Sequence, residues 1–172
     1  LEKSCLAHGG EDLGSEPLDH WMGHRNSVPS WDDLLKAGLV VDTIEVAATW
    51  DRILPLYEAV TAAIMEVPGI LVASGHTSHA YPTGVNIYFT FVGQSEDAAA
   101  QERIYSAACD AAMQSSIKAG ATIAHHHGIG RVRRDHLPQE HGAGGMTLLR
   151  ALKAAMDPDG ILNPDVLIAS KE

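Results

Sequence analysis

The 172-residue chain is long enough for one domain with a real core, and 45% apolar residues suit an ordinary water-soluble fold. Its formal net charge of −10 opposes nucleic-acid backbones and anionic lipid surfaces unless a basic patch outweighs it; only Arg131–Arg134 offers one, and it is short. Cys5 and Cys109 stand far apart without metal-ligand spacing, as expected of reduced thiols in a cytoplasmic protein.

The longest apolar stretches reach about ten residues, short of the roughly 20 that span a bilayer. No signal peptide is evident, and a polar opening at Leu1 rather than Met suggests a piece of something longer. Residues 1–38 lack a sustained period and are expected to be connecting structure or a short helix. From Val40, Ile44, Val46 and Ala48 alternate with Thr43, Glu45 and Ala47, predicting a half-buried strand. Ile53, Leu56, Tyr57, Val60, Ile64 and Val67 then follow helical spacing, with Thr49 or Asp51 as N-cap and Pro68-Gly69 as the stop. Residues 70–80 and 85–92 are two further strands, joined by Tyr81-Pro82-Thr83-Gly84 as a turn. Ser95 is placed to cap an Ala-rich helix running to Lys118, closed by Gly120, and Ala121–Ala124 predicts a last short strand.

The order β-α-β-β-α-β predicts an α+β fold: a ferredoxin-like split βαβ antiparallel sheet with helices on one face, followed by a helix from about Gly144 and a turn-rich tail. The expected division is a connecting segment (1–38), a ferredoxin-like domain (39–142) and a C-terminal helix and tail (143–172). Alternation puts Ile44, Val46, Ile87, Phe89 and Phe91 under the helices. It turns Thr43, Glu45, Asn86, Tyr88 and Thr90 to the free face, which is either a solvated surface or a ligand surface completed by another domain.

Chemistry concentrates at His125-His126-His127-Gly128-Ile129-Gly130. Imidazoles titrate near neutrality and can act as acid or base, although on an extended segment at most two of three neighbours would face one site. His76 and His79, three apart on a predicted strand, would face opposite sides, so no metal site is expected. Tyr88 is the phenol best placed to exchange a proton with a substrate, Tyr81 is expected to be a surface aromatic, and Arg131, Arg133 and Arg134 could neutralise phosphate or form a solvated charged face. The alternative to an enzyme part is a free-standing ferredoxin-like module that binds a small ligand or regulates.

The segments Asp42–Arg52, Gly84 with Ile87-Tyr88-Phe89, the HHHGIG run and the closing DPDGILNP resemble the C-terminal part of FAD-linked oxidases of the vanillyl-alcohol oxidase type, nearest the alkyldihydroxyacetonephosphate synthase branch. The resemblance implies the cap, or substrate, part of an FAD-dependent oxidoreductase or synthase-like transferase, inactive alone. It further implies FAD held mainly by an N-terminal domain outside this chain, a small-molecule substrate, a homodimeric complete enzyme, and peripheral membrane contact if the substrate is a lipid. By the same resemblance, Tyr88, His125, His126 and His127 are catalytic, His126, His127, Gly128 and Asn163 meet the cofactor, and Glu45, Asn86 and Arg131 meet substrate. Relatives carry approximately Pro-x-x-Arg-Asp where this chain has Pro29-Ser30-Trp31-Asp32-Asp33; the acidic residue weakens phosphate binding and admits an uncharged substrate.

Overall fold

Three antiparallel strands form the centre of the chain: β1 (Leu39–Thr49), β2 (Ile70–His76) and β3 (Gly84–Gln94), in the order β1-β3-β2. The computed structural model describes residues 2–169. Its contacts divide into two units, Leu1–Asp33 and Leu34–Glu172. In the first unit the sequence predicts connection or a short helix, and the structure holds α1 (Glu2–Ala7) and α2 (Glu16–His24), neither with a buried residue. The short α3 (Trp31–Lys36) follows.

In the second unit α4 (Ile53–Met65) and α5 (Ala98–Lys118) cover one face of the sheet. The register pairs Ile44 with Phe89 and Val46 with Ile87, and these four join Leu56, Val60 and Ile64 of α4 and Ala108, Ala112 and Met113 of α5 in one core. Period 2 from the strands meets period 3.6 from the helices, as the pattern predicts. The Tyr81–Gly84 turn closes with hydrogen bonds in both directions (2.8 and 3.3 Å).

Several elements differ from expectation. Neither Thr49 nor Asp51 caps α4, because a 3₁₀ turn, Trp50–Arg52, precedes it. Asp97, rather than Ser95, caps α5, its side chain accepting from Ala100 N at 3.0 Å. The predicted fourth strand at residues 121–124 shrinks to a single bridge, Thr122 to Ala47, on the outer edge of β1. There Ile123 finds side chains in place of strand partners: its N–H donates to Glu140 Oε2 (2.9 Å), and its carbonyl accepts from Arg133 Nη1 (2.6 Å). The backbone is satisfied without a ladder.

A second 3₁₀ turn, Arg134–His136, leads into α6 (Leu137–Met156). This helix starts earlier than predicted because Pro138 suits its first turn. Gly142 (φ 65°, ψ −179°) breaks it just before the predicted start.

Candidate functional site

The free face of the sheet is where the histidine run lands, and Glu45 organises it. Alternation turns this carboxylate away from the core, yet it is 0% exposed, because residues 125–127 fold over it. Its Oε2 accepts from the backbone N–H of His125 (2.9 Å) and of His126 (2.7 Å), with His127 N at 3.4 Å. Oε1 accepts from Asn86 Nδ2 (3.1 Å) and contacts His125 Nδ1 at 2.8 Å. Burial works against the charged form, but the hydrogen bonds from His126, Asn86 and His125 outweigh it and hold the carboxyl down at about 2.

An ionised carboxylate only accepts, so the imidazole facing it carries its proton on Nδ1. In the neutral ring the lone pair is then on Nε2. Asn86, also fully buried, spends its Oδ1 on the N–H groups of Ser78 (3.3 Å) and His79 (2.9 Å). Glu45 and Asn86 lie beneath the surface and hold together the loops at residues 78–79 and 125–127.

The three histidines do not alternate as an extended segment would, because the run is a series of bends around Glu45. Each ring finds a different partner. His125 meets Tyr81 edge-on at 5.4 Å, His126 meets His79 at 4.4 Å, and His127 meets Tyr88 at 5.2 Å. His125 and His126 lie 3.9 Å apart, and His76 stacks on Tyr88 at 5.3 Å. The sequence marks the triple His with Tyr88 and Tyr81 as the phenols nearest it, but it does not place His76 and His79 beside them. The signal available was their crowding into the end of β2 and the connection that precedes β3.

The arginine run is not a basic patch. Arg133 is 7% exposed and its Nη1 donates to the carbonyls of Glu45 (2.8 Å) and Ile123. Arg131 donates to Pro164 O (3.3 Å), and Arg134 to Asp165 O (2.8 Å) and Asp135 (3.1 Å). These bonds lay the tail along residues 130–134, where Leu167 N also reaches Gly130 O. Asn163 lies in that tail with φ 44°. Among the described residues, Glu45, His125 and His126 are a grouping whose ligand atoms lie within 4.8 Å of one another, but both Glu45 oxygens already accept hydrogen bonds.

Comparison with known proteins places this face in context. The family model described as FAD linked oxidases, C-terminal domain, matches residues 1–167. The chain belongs to that family. Within it, the chain is 35% identical over 163 residues to an uncharacterized FAD-linked oxidoreductase, YgcU, of Escherichia coli K12, covering 88% of this chain and 34% of the relative. It is 28% identical to the alkyldihydroxyacetonephosphate synthase of Trypanosoma brucei brucei, over 95% of this chain and 27% of that protein. A solved alkyldihydroxyacetonephosphate synthase superposes with a TM-score of 0.52 at 25% identity, covering 90% of this chain and 25% of that one. The chain thus spans about a third or less of the curated relatives it matches.

Proposed function

We propose that this chain forms the substrate-facing wall of an FAD-dependent enzyme, an oxidoreductase or an alkyldihydroxyacetonephosphate synthase-like transferase, with Tyr88, His125, His126 and His127 at the reacting centre. The observation that carries it is the gathering of three imidazoles and a phenol on the one sheet face that the helices leave bare, fixed from below by a single buried carboxylate.

The residues fit the cofactor the family implies. His126 keeps 40% of its side chain exposed, and Gly128, at φ +70°, has open space where a side chain would project, so a flat ring system can approach the loop backbone. His126, His127, Gly128 and Asn163 would meet FAD there, while an FAD-binding domain outside this chain supplies the main grip. Bound FAD would provide the redox-active ring against which substrate is held.

The chain's own part is proton chemistry and orientation. With Nδ1–H committed to Glu45, His125 offers Nε2 as a base of fixed orientation. Tyr88, between the rings of His76 and His127, is placed to give a proton to a substrate oxygen or take one from it. The acidic Asp32 in the position of the family's arginine and the engagement of Arg131 and Arg134 by the tail favour a substrate less anionic than a phosphate ester. The reading extends to a cytoplasmic, homodimeric complete enzyme, for which size-exclusion chromatography is the check.

In the complete flavoprotein, His127→Ala and Tyr88→Phe are expected to lower turnover by about 10²-fold or more while FAD content stays constant. Unchanged turnover in both variants would sink the assignment.

A further inference from the structure

A cavity of about 400 Å³ opens between β1, α5 and the loop that carries the histidines, lined among others by Asp42, Tyr105, Cys109, His127 and Arg133. Two of its groups are unusual for their positions. Asp42 lies in phase with Ile44 and Val46, opposite Phe91, where the strand otherwise presents core residues. Arg133 is 7% exposed, and its hydrogen bonds run through Nη1 alone. Nε and Nη2 remain as donors on a residue that is nine-tenths buried, and neither atom is sealed from solvent without a partner. These donors reach the solvent of the cavity and can be met there by an acceptor on a ligand.

The charge balance narrows what that acceptor is. Asp42 Oδ1 accepts from Thr43 N, and the Asp42 carboxylate also interacts with the Tyr105 phenol. Burial, helped by Cys109 and Asp42, pushes that phenol up, and burial pushes the Cys109 thiol up to about 11, so both stay protonated. Two guanidiniums, Arg131 and Arg133, and one carboxylate, Asp42, line the cavity, and the Glu45 carboxylate close behind brings their sum to neutral. A phosphate or carboxylate would gain Arg133 and Arg131, the latter already donating to Pro164 O, but meet Asp42 and Glu45, with no net attraction. A hydroxyl group satisfies both partners at once, donating to Asp42 and accepting from Arg133.

We propose that this cavity is a subsite for an uncharged, hydroxyl-bearing segment of the substrate, of the polyol or sugar type, held between Asp42 and Arg133. The assignment rests on the reading of the histidine face as the reacting surface, because His127 borders both the cavity and Tyr88. Substrate seated in the cavity would present its reacting carbon on the far side of His127. Asp42 and Arg133 then set specificity without taking part in the proton transfers.

The test is a ligand-observed NMR titration of the complete flavoprotein with three probes that share a six-carbon backbone: D-sorbitol, D-sorbitol 6-phosphate and D-gluconate. D-sorbitol is expected to bind, and the two anions to bind about tenfold more weakly or not at all. Asp42→Asn, which keeps size and shape, should weaken D-sorbitol about tenfold while narrowing its advantage over the anions. Arg133→Lys should weaken D-sorbitol as well; should that variant fail to fold, Asp42→Asn decides alone. Tighter binding of either anion, no binding of D-sorbitol, or an unchanged affinity in Asp42→Asn overturns the subsite. Because binding is read without turnover, the same titration in Tyr88→Phe separates this result from failure of the catalytic reading.

Discussion

Glu45 occupies a position that alternation along β1 assigns to water, and it is buried beneath residues 125–127 and against Asn86. A carboxylate that collects two short backbone N–H bonds, an amide and an imidazole is an anchor for a loop. Replacing it with Gln puts an NH₂ against N–H donors, leaving buried groups unsatisfied. Glu45→Gln is therefore expected to cost on the order of 3 kcal/mol at pH 7, read by urea denaturation. The pH dependence follows from the same bonds. The folded carboxyl titrates at about 2 against an ordinary 4.5, so the unfolded chain binds the extra proton between those values. The stabilisation is complete above about pH 4.5 and fades as pH falls toward 2. In Glu45→Gln that part of the slope should vanish; an identical slope between pH 5 and 3 would show that Glu45 is not the anchor. The pattern of β1 marked Glu45 as pointing out of the core, but not that a segment 80 residues later would bury it.

At the scale of elements, the strands with a clean period were legible and the one without it was not. Ile44, Val46, Ile87, Phe89 and Phe91 all reach the core, since alternation against an apolar helix layer leaves them no other side. Residues 121–124 are too few to show a period, and what replaced their ladder, Glu140 and Arg133, lies outside the segment in sequence. Helix starts moved for a related reason: Ser95 and Asp97 are both capping residues, and spacing alone does not choose between them. Asp97→Ala should cost α5 about 1 kcal/mol, measured as a shift in the urea midpoint; no shift would mean that the start of α5 is held by packing alone. Gly84 illustrates a signal read for the wrong reason. The sequence assigns it to turn chemistry, whereas a Cβ there would sit 2.2 Å from Ala48 O and 3.0 Å from Thr49 Cα. It is the close approach of β1 to β3 that requires glycine. Gly84→Ala should destabilise by about 1–3 kcal/mol and loosen the Trp50 Nε1 bond to Tyr81 O (2.9 Å), which tryptophan fluorescence would report.

For the whole molecule, the distribution of charge decides which partners the surface tolerates. The net charge of −10 is not relieved by the arginine run, because Arg133 is buried and Arg131 and Arg134 hold the tail. Among the described residues no helix is long and apolar enough to cross a membrane. Any contact with a lipid surface would therefore depend on apolar side chains and not on attraction to anionic headgroups. The chain is expected neither to sediment with phosphatidylserine-containing vesicles nor to shift duplex DNA at about 50 mM salt, where a cationic patch would act most strongly. Salt-sensitive binding to either would mean that the tail releases Arg131 and Arg134 in solution. That result would return two cations to the neighbourhood of the histidines, restore the means of holding a phosphate there, and count against an uncharged substrate.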